Sequence, residues 1–218
     1  MSAAAINGPH QGQPVRTAGQ PLDQARAAMV MVHGRGATAD SILTLAAELN
    51  RPDFAYLAPQ ASGNTWYPNS FLAPIPSNEP GISSGMQAIQ DILDRIEQAG
   101  IPAERTMLLG FSQGACLTLE FAARHARRYG GIATLSGGLS GPDGTPRDYP
   151  GSLERTPVFM GCSDVDFHIP AERVEFSGEV MRDLNGQVTV RLYRGMGHTV
   201  NEDEIAQVQA MMDGLTGG

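Results

Sequence analysis

Three polar residues stand where their side chains could cooperate in covalent catalysis: Ser112, Asp164 and His198. Ser112 is the centre of Gly110-Phe111-Ser112-Gln113-Gly114. An apolar strand is predicted just before it, over 106–109, and a helix just after it, over 115–128. That strand–turn–helix context is what makes Gly-x-Ser-x-Gly a nucleophile elbow, with the serine hydroxyl exposed at the top of a sheet. So tight a turn strains the serine backbone, and the residues at 110 and 114 must lack a Cβ to clear the neighbouring strand and helix. The helix also aims its first N–H groups at the centre where negative charge would develop.

A serine needs a base, and the base needs an acid to hold its tautomer. Asp164 follows a predicted strand over 156–161, in Gly161-Cys162-Ser163-Asp164-Val165-Asp166-Phe167-His168. His198 follows one over 188–193, after Arg194-Gly195-Met196-Gly197. In a chain with 26 glycines the five-residue pattern alone is weak. The order Ser…Asp…His, each residue just past a different strand, is the stronger signal and points to a serine hydrolase.

The elements that must position these groups alternate. A continuous apolar strand over 28–33 runs into His33-Gly34-Arg35-Gly36, and a helix over 40–49, capped by Asp40 or Ser41, follows it. Strands over 54–59 and 131–136, a Gly/Pro loop over 137–151, and helices over 82–96, 170–184 and 201–215 complete the pattern. Ile82, Met86, Ile89, Leu93 and Ile96 recur at helical spacing. Alternation of this kind predicts an α/β fold with a mostly parallel sheet, whose ligand chemistry lies at the carboxyl ends of the strands. Residues 61–81 carry prolines at 68, 74, 76 and 80, yet also Trp66, Tyr67, Phe71, Leu72 and Ile75. The stretch is too aromatic for disorder and is read as a pocket wall. Residues 1–25 read as a loose arm with a weak edge strand, and the whole chain, 1–218, as one domain.

Composition narrows the partners. A net charge of −8 without basic runs argues against nucleic acid or an anionic membrane. The longest apolar run has six residues, 27–32, and the first residues lack the pattern of a signal peptide, so no membrane anchor is expected and a cytoplasmic location is the default. Cys116 and Cys162 read as small core residues. His33 reads as a brace for the turn after its strand, His125 as part of a solvated helix end, and His10 carries no signal. Asp164, Asp166 and His168 superficially suggest a metal. Three ligands on alternate residues fit poorly with the catalytic order above, so no metal is expected.

Gly110-Phe111-Ser112-Gln113-Gly114-Ala115, with Gly195-Met196-Gly197-His198 after the last strand, resembles the phospholipase/carboxylesterase family of α/β-hydrolases, which includes acyl-protein thioesterases and small carboxylesterases. The resemblance covers residue 28 to the end. It implies an α/β-hydrolase fold without a large lid, an acyl-enzyme route through Ser112, His198 and Asp164, and no cofactor. It further implies an oxyanion hole from the backbone N–H groups of Arg35 and Gln113, a Trp66-Tyr67 pair beside the pocket, and a homodimer. Tyr67, Phe71, Leu72 and Met196 are expected to line that pocket with Trp66. Two departures stand out. The family's Gly-x-x-Asp-x-x-Val-Pro is two residues longer here, which makes Asp166 a rival for the acid, and Asp164 is preferred as nearer the strand end. Arg35 stands where relatives often carry Leu, so its guanidinium either forms a salt bridge or reaches the pocket and favours polar or anionic acyl groups. The expected substrates are small-molecule carboxylic esters of short to medium chain, with thioesters in range. A lactone or dienelactone hydrolase and a non-catalytic binding module are the alternatives.

Overall fold

The computed structural model describes residues 8–216. In chain order the elements are β1 (Val15–Gly19), β2 (Ala27–Val32), α1 (Ala39–Ile42), α2 (Thr44–Leu49), β3 (Phe54–Pro59), α3 (Gly81–Gln98), β4 (Thr106–Phe111), α4 (Gln113–Arg124), β5 (Gly131–Leu135), β6 (Pro157–Ser163), α5 (Ala171–Asp183), β7 (Gln187–Tyr193) and α6 (Glu202–Thr216). Seven strands form one sheet in the order β1-β3-β2-β4-β5-β6-β7, parallel except for β1, which runs antiparallel to β3 at the edge. This is the expected α/β architecture.

Both faces of the sheet are covered, and β2 shows why its run is apolar throughout. Ala28, Val30 and Val32 enter the core shared with α3, α4 and α5, while Ala27, Met29 and Met31 enter the one shared with α2 and α6. A strand with two buried faces has no place for a polar residue. The periodic residues of α3 are all buried. In α4, residues 113–123 are buried on every side, which suits its small and apolar composition. From β2 the chain passes to β3 on one side and then to β4 on the other. That reversal leaves a crevice beyond the carboxyl ends of β2 and β4, where open α/β sheets bind ligands.

Two local expectations change. The single helix over 40–49 breaks at Leu43 into α1 and α2, and its cap is Thr38, not Asp40 or Ser41. Thr38 Oγ1 accepts the Ser41 N–H while Ser41 Oγ accepts the Thr38 N–H, a reciprocal capping box. The arm is also less loose than its composition suggests. Residues 1–7 lie outside the described residues, but His10 is buried and all of β1 pairs with β3.

Asn201 and Glu204 cap α6 reciprocally, each side chain accepting the other's backbone N–H at 2.9 Å. Glu204 is fully buried against Gly161, and its second carboxyl oxygen has no partner among the described residues. Burial, with a smaller contribution from Asp203, pushes its pKa up to about 7. The folded protein therefore holds this proton more tightly than the unfolded chain. The site's contribution is full below the ordinary carboxyl value and is lost as pH rises to about 7. Glu204→Gln should accordingly raise the melting temperature at about pH 8 and leave it near wild type at about pH 5, as read by calorimetry.

Candidate active site

Ser112 sits between β4 and α4 with φ 53° and ψ −121°, a strained conformation for a residue with a side chain. Its backbone is locked by N–H donation to Leu135 O at 2.9 Å and by accepting the Cys116 N–H at 3.0 Å. The flanking glycines do what the sequence requires. A Cβ on Gly110 would strike the backbone of Gly114 and Ala115 in α4, and one on Gly114 would strike the carbonyls of Val32 and His33 at the end of β2.

Ser112 Oγ lies 2.8 Å from His198 Nε2, and His198 Nδ1 lies 2.7 Å from Asp166 Oδ2. The expectation for Asp164 is thus corrected: the carboxylate facing His198 is that of Asp166. The reason is the length of β6, which stays paired to β7 through Ser163↔Tyr193. Asp164 therefore emerges beside the end of β7, where Oδ1 accepts the Gly195 N–H at 2.8 Å. The turn then carries Asp166 back beneath His198. Ser163 Oγ accepts the Gly197 N–H at 3.1 Å, so Ser163 and Asp164 together hold the loop that carries the histidine. Counting back from Pro170, the Asp-x-x-Val-Pro spacing falls on Asp166, with Ile169 in place of Val; that register was the usable signal.

The Asp166 side chain is fully buried. Burial alone would raise its pKa, but the hydrogen bond to His198 and the backbone N–H groups of His168 and Ile169 outweigh it and hold the carboxyl below its ordinary value. Cys162 Sγ points at the same carboxylate, and burial beside that charge pushes the thiol up to about 12. Asp164, Asp166 and His168 do not converge on a metal position, and no cluster of three or more metal-ligating side chains occurs among the described residues.

The backbone N–H groups of Arg35 and Gln113 flank this centre, at the end of β2 and the first position of α4. Neither donates a hydrogen bond among the described residues. The Gln113 side chain is fully engaged elsewhere: Oε1 accepts the Trp66 N–H at 2.9 Å and Nε2 donates to Tyr67 O at 2.8 Å. This clamp ties the irregular loop to the elbow, and the bare sequence carries no signal for it.

Trp66 does not line the pocket as expected. It is a fully buried post behind it, donating Nε1–H to His33 O at 2.8 Å, with the rings of His10 and His33 each 5.0 Å away. His33 donates Nδ1–H to Gly34 O and accepts the Ala61 N–H at Nε2, bracing the turn as expected. His10 accepts the Ser62 N–H at Nδ1 and donates Nε2–H to Trp66 O. Both patterns require neutral rings, and burial lowers both pKa values.

Beside Ser112 opens a cleft of about 460 Å³, walled by Tyr67, Phe71, Phe111, Ile169, His168 and the polar residues Asn69 and Ser70, with Cys116 on its floor. Tyr67 and Phe71 stand on this wall; Leu72 and Met196 do not. Leu72 faces a separate cavity of about 500 Å³ beside Arg147, Arg173 and Phe176, which shares no lining residue with the cleft beside Ser112. Met196 is turned back toward Asn201, whose side-chain amide donates to its sulfur. The Arg35 guanidinium forms no salt bridge among the described residues. It donates to Pro68 O at 3.0 Å and Asn69 O at 2.6 Å, at the rim of the cleft.

The sequence profile of the phospholipase/carboxylesterase family matches residues 17–215. The chain belongs to that family. Among solved structures, it is similar to a phospholipase/carboxylesterase from Dyadobacter fermentans, with 41% identity and a TM-score of 0.90 over 96% of this chain and 99% of that one. Acyl-protein thioesterase 1 of Gibberella zeae is 30% identical over 61% of this chain, and that of Debaryomyces hansenii 26% identical over 87%. The match spans 57% of the length of the first relative and 91% of the second.

The clamp is testable apart from chemistry. Gln113→Glu keeps an acceptor for Trp66 but turns the Tyr67 contact into two opposed acceptors. It should lower unfolding stability by about 1–3 kcal/mol in urea titration.

Proposed function

We propose that this protein is a serine esterase that works through an acyl-enzyme, with Ser112 as nucleophile, His198 as base and Asp166 as the orienting acid. The observation that carries the reading is the unbroken chain from Ser112 Oγ to His198 to the buried Asp166 carboxylate. Ser112 Oγ attacks the acyl carbon while its proton passes to His198 Nε2. Asp166 holds Nδ1–H and offsets the charge of the imidazolium. The oxyanion is met by the backbone N–H groups of Arg35 and Gln113, each such donor being worth about a hundred- to a thousand-fold in rate. His198 then hands the proton to the departing oxygen, and water repeats the sequence on the acyl-enzyme.

A cleft of about 460 Å³ with aromatic walls and polar rims suits short to medium acyl chains. Long lipids would call for more apolar surface, and no helix among the described residues is long and apolar enough to cross a membrane. Thioesters follow the same route, and acyl-protein thioesterases among the relatives make them a natural second substrate.

Hydrolysis of p-nitrophenyl esters of increasing chain length, with and without a fluorophosphonate, tests the reading. Turnover should fall for the longest chains and cease on stoichiometric labelling of Ser112; absence of both labelling and turnover would refute it. Ser112→Ala should abolish turnover and leave the fold intact by circular dichroism. Asp166→Asn should lower kcat by about three to four orders of magnitude. Asp164→Asn, which keeps an oxygen to accept the Gly195 N–H and loses only the charge, should cost about tenfold or less, and the reverse ranking would return the acid role to Asp164.

A further inference from the structure

The charge around the cleft is unlike that of the chain as a whole. The protein carries a net charge of −8, yet among the described residues no Asp or Glu side chain lines the cleft. Arg35 does, and so do the imidazoles of His168 and His198. Asp166 lies beneath His198 with its oxygens already engaged by His198 and two backbone N–H groups, and Asp164 is held against Gly195.

Arg35 is also held in place. Its two hydrogen bonds go to the carbonyls of Pro68 and Asn69, and the guanidinium carbon lies 6.0 Å from the centre of the Tyr67 ring. These partners are neutral. Burial drives the Tyr67 pKa well above its ordinary value, so the phenol supplies no counter-charge. Among the described residues two of the five guanidinium N–H groups are used, and the side chain is exposed, which leaves the remaining donors and the full positive charge for a ligand. A guanidinium fixed by carbonyls and uncompensated by a carboxylate is preorganised for a planar anion.

Placement sets where that anion would sit. The leaving group must lie toward His198 Nε2, which returns the proton, and His198 is flanked by Phe111, Phe167 and His168. Arg35 belongs instead to the oxyanion turn after β2, and its side chain is tied to residues 68 and 69. We propose that the Arg35 guanidinium is a carboxylate-binding subsite on the acyl side of the cleft, and that the preferred substrates are monoesters of small dicarboxylic acids. This rests on the serine-esterase reading above.

The test compares monoethyl glutarate with ethyl valerate, equal in chain length and differing in charge, together with carboxymethyl butyrate, which carries the anion on the leaving group. The readout is a ratio of kcat/KM values, which cancels any general loss from altering a residue of the oxyanion turn. Monoethyl glutarate should be preferred over ethyl valerate by about ten- to a hundredfold, mainly through KM. The preference should shrink as ionic strength rises from about 0.01 M to about 1 M. Arg35→Met should abolish it, and Arg35→Lys should restore part of it. An equal rate for the two acyl chains, or a preference that survives in Arg35→Met, would overturn the subsite. A preference confined to carboxymethyl butyrate would overturn its acyl-side placement. In each of these cases, continued turnover of ethyl valerate and labelling of Ser112 would leave the esterase reading standing. Loss of both would overturn the two together.

Discussion

The architecture depends on one close approach, the contact of Gly114 at the start of α4 with the last carbonyls of β2. Any side chain at that position would push α4 away from β2. The same crowding sets Gly110 against the first turn of α4 and drives Ser112 into a positive φ. Such strain costs on the order of 1–3 kcal/mol and persists only where the surroundings over-determine it. Here the surroundings are α4, buried on every side, and backbone bonds on both sides of the serine. The approach also brings the end of β2 beside the start of α4. Arg35, Gln113 and Ser112 thereby come to line one cleft.

A second level of organisation is polar and buried. The irregular segment after β3 cannot satisfy its backbone through a ladder, and unsatisfied buried groups are costly. Gln113, His10, His33 and Trp66 supply those bonds, each used at both of its polar ends or stacked between neighbours. The cleft wall formed by Tyr67 to Phe71 is thereby tied directly to the elbow. A wall fixed in this way needs little reorganisation when a ligand arrives.

The turn after β6 divides its work between two carboxylates. Asp164 and Ser163 fix the backbone of the Gly195–Gly197 turn, while Asp166 fixes the ring that the turn carries. Position and orientation of the histidine are thus set by separate contacts from one short stretch of chain.

The alternation of strands and helices, the elbow with its two glycines, and the roles open to Ser112 and His198 were legible in the sequence. Each depends on local features: apolar periodicity, a steric requirement for glycine, and the order of residues beyond strand ends. The choice between Asp164 and Asp166 was not local, because it turns on how far β6 stays paired to β7. Trp66 looked like a pocket wall because aromatic character says that a side chain is buried, not on which side of a loop. His10 and the Gln113 amide had no signal, since their partners lie 46 to 56 residues away in the chain. Arg35 shows the same limit. Its sequence position favoured a salt bridge over a pocket contact, and the nearby carbonyls of residues 68 and 69 took the guanidinium instead. Sequence determined which residues could do the chemistry, whereas tertiary packing decided which of them meet, because contact between distant segments follows from the sheet and not from spacing along the chain.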